Sequence, residues 1–392
     1  MTNSGRQKII QIYPNIFKLH TSYKSLIDSP PPGYKFLVTP PTKAVENLVR
    51  LKNVKFIRYS YHLLLKIFKS RRVFESLANT SEIAKESDLV YAIGKISPGK
   101  KPFILEIIDN PFSITGYNYQ LFIHNLSDLR RELSSPLCKK IVCSNADAIQ
   151  LLKRYFPESI VNKSLLVHPG VSIQKIKKVK KHSSCRLLFV GSITNPQDFY
   201  SKGGLETIAA FEKISPNYDV ELLMRCKIPE EIRARIYGNK KVTLIENEIS
   251  LEELKSLYKN SDIFVLPGHH FHMMALLEAM SYGLPSIVLD TYGFSDFVEE
   301  GVNGYRVKKS GLIKGYNVPS YPTNVKERSF INDVKKEDPR VIDDIAEKIV
   351  YLAKNHNIRR KFSKASREII RDRFSIELRN RKLKSIFDKA LA

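Results

Sequence analysis

Short apolar runs rich in β-branched and aromatic residues alternate with helix-period segments along this chain, and they do so in two successive series. A run of five or six residues that is apolar on both faces must be covered on both faces. Helices between successive runs supply that cover, so the pattern specifies parallel α/β layers. The first series is KIIQIY (8–13), KFLVT (35–39), LVYAIG (89–94), FILEII (103–108), KIVCS (140–144) and SLLVH (164–168). A helix from Asn145 to Tyr155 follows the fifth run, with Ser144 read as its N-cap. The second series is RLLFVGS (186–192), VELLMR (220–225), VTLIEN (242–247), DIFVLPG (262–268) and PSIVLD (285–290), with helices at Gly204–Ile214, Leu251–Lys259 and Met274–Tyr282. Between the series lies SIQKIKKVKKHSS (172–184), polar, basic and poor in core residues. The expectation is an α/β protein of two Rossmann-like domains, 1–174 and 185–374, joined by a linker at 175–184 and followed by a last helix at 375–392. Lys308 to Arg340 breaks the rhythm and reads as a surface insertion.

At about 150 residues per domain, 392 residues agree with two cores, and 43% apolar content with 19 Tyr and 20 Phe can fill them. Charge is lopsided: 64 basic residues against 40 acidic give +24, which points to an anionic partner without choosing among nucleotides, lipids and nucleic acid. A nucleic-acid-binding protein would carry an RRM-like aromatic motif, a zinc finger or a helix-turn-helix, and none is recognisable. Cys138, Cys143, Cys185 and Cys226 form no CxxC pair, so neither a zinc site nor a disulfide framework is indicated, and a reducing cytoplasm is expected. The first residues, MTNSGRQKIIQIYPNIF, contain no apolar stretch of signal length, and no segment approaches the roughly 18 apolar residues of a spanning helix. From Phe56 to Lys69, Arg58, His62, Lys66 and Lys69 recur at helical spacing opposite Ile57, Leu64 and Phe68. Such a stripe suits either peripheral contact with an anionic membrane or the solvated face of a domain helix.

The stretch that carries chemistry is DIFVLPGHHFHMMALLEAMSYGLPSIVLDTYGFSDFVEEGVNG (262–304). A strand ends at Pro267–Gly268, a loop follows, and a helix starts near Met274. The unpaired N–H groups and positive dipole end of such a helix make a diphosphate site. Glu278, one turn in, can accept hydrogen bonds from both hydroxyls of a ribose. His269, His270 and His272 form an HHxH loop, but no acidic or cysteine partner stands nearby in sequence to complete a metal site.

LLEAMSYGLPSIV with DFVEEGVNGYRV, together with KIVCSNADAI, LLVHPGV and LLFVGSI…KGG, resembles the large family of retaining GT-B glycosyltransferases, group 1, over roughly residues 139–390. The resemblance implies two facing Rossmann-like lobes with the last helix crossing back onto the first. It implies a nucleotide-sugar bound by the second lobe, metal-independent transfer with retention, and a glycan or other acceptor on the first; the stripe Arg58–His62–Lys66–Lys69 adds the expectation of a lipid-linked or membrane-proximal one. Position by position, Glu278 becomes the second Glu of the family's Glu-x7-Glu motif and the ribose ligand. The backbone at Met273 and Met274 would hold the diphosphate, Gly191 would adjoin it, and Lys202 of SKGG would neutralise the leaving phosphate. His270 stands where the family's first Glu would touch the donor sugar. Ser192 stands where an Arg is usual, with Arg225 at the end of the next strand as its substitute, and Tyr13-Pro14-Asn15 replaces a glycine pair. In the first lobe the family places a His or an acid at the end of the strand holding FILEII. Asp109 and Asn110 are the candidates for contact with acceptor or sugar, Asp109 also as a catalytic residue, with Glu106 and His124 behind them. As plain structure, Asp109 and Asn110 would be strand-end turn residues. A sugar-nucleotide-binding protein without transferase activity is the rival on the same fold, favoured by His270 and Ser192.

Overall fold

The computed structural model describes residues 6–14, 21–39, 83–174, 183–314 and 328–392. The basic stripe at 56–69, most of the 175–184 linker and part of the 308–340 insertion lie outside the described residues. The chain divides into two compact units, Met1–Gly170 with Ile376–Ala392, and Val171–Ser375.

The first unit is built on β1 (Lys8–Tyr13), β2 (Tyr34–Leu37), β3 (Leu89–Ile93), β4 (Phe103–Ile107), β5 (Cys138–Cys143) and β6 (Ser164–Leu166), all parallel, in the order β2-β1-β3-β4-β5-β6. The central strands are apolar and buried, LVYAI of β3 at every position, as a sheet sandwiched between helices requires. The helix Ile376–Leu391 belongs to this unit and lays Leu383, Ile386 and Phe387 on Ile10, Ile12 and Tyr91. Burying each of those three side chains contributes roughly 1.5–3 kcal/mol before the entropic cost of ordering it. Polar ties complete the seam: Arg379 donates to Ser25 Oγ at 2.8 Å and to the Ser29 carbonyl at 2.9 Å.

The second unit contains β7 (Cys185–Val190), β8 (Val220–Arg225), β9 (Val242–Ile245), β10 (Ile263–Leu266), β11 (Ser286–Leu289) and β12 (Gly304–Val307), again all parallel, ordered β12-β11-β10-β7-β8-β9. Strands β8 and β9 are added on one side of β7, while β10, β11 and β12 extend the other side. The order therefore reverses between β7 and β10. At such a switch point the loops leaving the two strands diverge and open a crevice beyond their carboxyl ends, where ligands of open α/β sheets bind.

Local corrections have local causes. Asn145, not Ser144, caps the helix Ala146–Tyr155, accepting from the Ala148 N–H at 2.8 Å, because the Ser144 hydroxyl is donated to the Ile108 carbonyl. The helix after β10 runs Met273–Ser281, one residue earlier at each end than expected. The insertion contains a short helix, Arg328–Asp333, and its end at Pro339 already begins the helix Pro339–Lys354 behind the cap of Asp338. All four cysteines are buried and free. No helix among the described residues is long and apolar enough to cross a membrane.

Candidate functional site

In the second unit the loops after β7 and β10 bring most of the expected residues to the switch point. Beyond β7, the Gly191 N–H donates to the Arg225 carbonyl at 2.9 Å, prolonging the β7–β8 pairing by one residue. A Cβ at Gly191 would press on the side chain of Cys226. Ser192 follows, its hydroxyl 2.9 Å from that of Thr194. The short helix Asp198–Ser201 ends with Lys202 at its C-cap, and Gly203 turns the chain at φ +77° into the helix Gly204–Ile214. Only glycine fits there, because a Cβ would collide with the Pro267 carbonyl.

After β10, Phe271 anchors the loop, its ring edge-on to Phe294 at 5.3 Å and 5.2 Å from Phe297. Thr291 holds the Gly268 carbonyl at 3.1 Å. His272 occupies the N-cap of the helix Met273–Ser281, no side chain caps that helix, and its first turn contains no acid. The N–H groups around Met273 and Met274 thus face the crevice with the positive end of the dipole undiminished.

The charges here are mutually dependent. Burial lowers Lys202 below the ordinary lysine value and nearby Arg225 adds to the effect, against Asp198 and Cys226. Burial, with Lys202 and His269 beside it, pushes His270 down to about 3, so its imidazole stays neutral throughout the physiological range rather than titrating near 6.5. His272 is depressed for the same reasons, burial foremost, and its ring lies 4.0 Å from that of His270. Burial raises Glu278 above its ordinary value, while the Tyr258 hydrogen bond and Arg225 oppose the rise. Tyr258, stacked on Tyr282 at 5.4 Å, donates its hydroxyl to Glu278 Oε2 at 3.1 Å and so fixes the carboxylate. Two polar atoms of this group, Arg225 Nε and His272 Nε2, are buried with no hydrogen-bond partner. His269 is fully buried, with Nε2 2.7 Å from Glu206 Oε1. The HHxH loop is therefore split, and among the described residues no three acidic, histidine or cysteine side chains converge as a metal set.

In the first unit, Asp109 follows β4 and accepts from the Tyr117 hydroxyl at 3.2 Å, and burial pushes it up to about 6. Glu106, inside β4, lies in the same electrostatic neighbourhood and is pushed up to about 7, by burial first and by Asp109 last. Asn110 is fully buried and caps the 3-10 turn Pro111–Thr115, its Oδ1 accepting from the Phe112 N–H at 2.9 Å. It fills the turn role weighed from sequence. His124 stands exposed at the end of the helix Tyr119–His124.

Tyr258 and Glu206 were not found from the sequence, and His269 and His272 were read only as members of an HHxH loop. His272 had a legible signal, being the residue just ahead of the helix. Tyr258 and Glu206 had none, since only the tertiary fold brings them to the site.

Residues 173–314, which hold the second-unit residues of this site, match the family model described as glycosyl transferases group 1. No curated protein sequence matches the chain. Among solved structures, Anabaena HepE in complex with UDP and glucose is 12% identical with a TM-score of 0.62, over 97% of this chain and 99% of that one. A glycosyltransferase from Rickettsia africae is 14% identical with a TM-score of 0.58, over 99% of both chains. TarM is 16% identical with a TM-score of 0.54 over 78% of this chain, which spans about half of TarM's own length, 55%. At these identities the likeness establishes the fold. Over residues 173–314 the second unit is thus similar to group 1 glycosyl transferases, and the chain, with its two Rossmann-like domains, has the GT-B fold.

Proposed function

We propose that the crevice between β7 and β10 binds a nucleoside diphosphate sugar and that the protein transfers its sugar, with retention, to a hydroxyl of a glycan or lipid-linked acceptor. The observation that carries this reading is the pair of buried, unpartnered atoms, Arg225 Nε and His272 Nε2, beside Lys202 and the uncapped start of Met273–Ser281. Leaving a buried donor unsatisfied costs about 1–3 kcal/mol, more for a charged group, and an anionic ligand bound there removes that cost. Four kinds of positive or donating group around one point suit a diphosphate. Glu278, oriented by Tyr258, suits the ribose beside it, and His270 takes the donor sugar. HepE's complex with UDP and glucose supports a uridine nucleotide as the first donor to try.

In the transfer, the bond from the anomeric carbon to the diphosphate oxygen breaks while the acceptor oxygen bonds to that carbon from the same face. The acceptor proton passes to the leaving diphosphate. Lys202 and Arg225 act by stabilising charge that grows on the leaving group, without a metal ion, and the site's remaining contribution is orientation. Asp109 and Glu106 are assigned to the acceptor side. Peripheral attachment to an anionic membrane rests on the Arg58–His62–Lys66–Lys69 stripe, and sedimentation with anionic vesicles that persists at high salt, or occurs equally with neutral vesicles, refutes it.

Thermal shift with UDP, GDP and ADP and their common sugar conjugates tests the donor reading, because a ligand bound only to the native state raises stability by mass action. No shift with any of them overturns it. His270 and Ser192 favour a second reading, binding without transfer. A shift without donor hydrolysis or transfer would select it.

A further inference from the structure

His269 and Glu206 are among the most deeply buried polar side chains of the second unit, 0% and 3% exposed, with the imidazole Nε2 2.7 Å from the carboxylate Oε1. The other carboxylate oxygen is buried with no partner. A carboxylate taken out of water with one hydrogen bond is a costly element of a core, and an apolar pair would pack there at less cost. What this pair does that an apolar one cannot is fix a direction and a length between two segments.

Those segments are the two halves of the proposed diphosphate site. Glu206 lies in the first turn of Gly204–Ile214, directly after the turn that carries Lys202. His269 lies in the loop after β10, directly before His270, His272 and the helix start at Met273. Two further ties join the same stretches. The His269 N–H donates to the Ser201 carbonyl at 2.9 Å, and Gly203 rests against the Pro267 carbonyl with no room for a Cβ. Ser201, Gly203 and Glu206 on one side are thus fastened to His269 and Pro267 on the other, with Lys202 enclosed by the fastening.

We infer that His269 and Glu206 are positioning residues that hold Lys202 and the uncapped helix start at a fixed spacing, and through that spacing set the site's affinity for a diphosphate rather than for a nucleoside. This rests on the donor reading above, and the two can fail separately. Glu206 contacts His269, not the ligand, so its effect passes through the loop. The spacing matters because anion binding by backbone N–H groups and a lysine together requires both at hydrogen-bond distance from the same oxygens.

The test compares wild type with Glu206→Gln, which keeps an acceptor for His269, and with Glu206→Leu and His269→Ala, which remove the tie. Amide hydrogen exchange on the ligand-free proteins reads the fastening directly. In Glu206→Leu and His269→Ala, exchange should quicken at residues 201–204 and 268–274 while β8 and β11 stay unchanged, and Glu206→Gln should resemble wild type. Calorimetry with UDP and with uridine reads the consequence: UDP binding should weaken about tenfold in Glu206→Leu with uridine binding unaltered, the loss expected when charge-assisted bonds are misaligned. A merely structural pair would lower melting temperature without separating the two ligands. Unchanged exchange at both segments, or equal weakening of UDP and uridine, overturns the inference. Wild type that binds none of UDP, GDP and ADP overturns the donor reading instead, and the exchange measurement still decides whether the fastening exists.

Discussion

Glu106→Gln should stabilise the first unit at neutral and alkaline pH, opposite to the usual result of removing a charge from a protein surface. The Glu106 carboxylate faces a cavity of about 30 Å³ lined by Tyr23, Tyr91, His168 and Arg379. Tyr91 hydrogen-bonds it, Tyr23 donates to it across a long 3.5 Å, and the Arg379 guanidinium nearby is committed to Ser25 and Ser29. Burial outweighs these contacts and raises the carboxyl from its ordinary 4.5 to about 7. The folded unit therefore keeps a proton up to about pH 7 that the unfolded chain releases near 4.5. Between those values the folded state binds more protons, so stability falls as pH rises, and above 7 the full cost is present. At about 1.4 kcal/mol per pH unit, that cost is about 3.5 kcal/mol at most. Asp109 moves in the same direction but over a lower window, from 3.8 to about 6, so the Glu106 substitution isolates the upper part. Two units make global unfolding a poor measure. Urea-dependent hydrogen exchange of amides in β3 and β4 reads the first unit alone. The expected outcome is near-equal stability at pH 4.5 and a variant about 2–3 kcal/mol more stable at pH 8. A variant no more stable than wild type at pH 8, or one with the same advantage at both pH values, would show that burying the Glu106 charge carries no such cost.

Three further outcomes concern the donor site. Glu278→Ala should weaken UDP-sugar binding by roughly ten- to a hundredfold, because the carboxylate offers charge-assisted bonds of about 1.5–3 kcal/mol each before compensation, and calorimetry showing equal affinity would remove its ribose role. Lys202→Ala should lower kcat more than it raises KM, since its charge matters most as the diphosphate departs, and unchanged turnover at saturating donor counts against this. With His270 held near 3, the pH–rate profile should show no limb around 6.5, and His270→Glu should keep or raise activity if the donor sugar needs an acceptor there. A limb near 6.5 that vanishes in His270→Ala would show that the imidazole titrates normally.

Periodicity made both sheets legible because each strand is buried on both faces, and a run such as IFVL or LLFV has few other places to go. β12 was missed for the complementary reason: it is a four-residue edge strand, GYRV, whose Tyr305 and Arg306 are only partly covered, so it carries no apolar run. The N-cap assignment failed by one residue because Ser144 and Asn145 are both good caps, and only the position of the Ile108 carbonyl decides between them. The loop after β10 could be read as an anion site from its place ahead of a helix. Its electrostatics could not. From sequence His270 is only a loop residue at the donor-sugar position, and burial with Lys202 beside it shows only in the fold; Glu206 has no assigned role until the fold sets His269 against it.

The helix Ile376–Leu391 has a consequence for how the chain is made. Because it completes the core of Met1–Gly170, the second unit is an insertion within the first, and the first half to leave the ribosome is the last able to close. Val171–Ser375 has its whole core once residue 375 is synthesised, so vectorial folding runs in the reverse of chain order. Until the final helix arrives, Ile10, Ile12 and Tyr91 wait uncovered, a window in which nascent chains are exposed to chaperones and to one another. A chain stopped after residue 375 should keep a protease-resistant second unit while its first unit is degraded, and equal resistance of both units would show that the first unit closes without its helix.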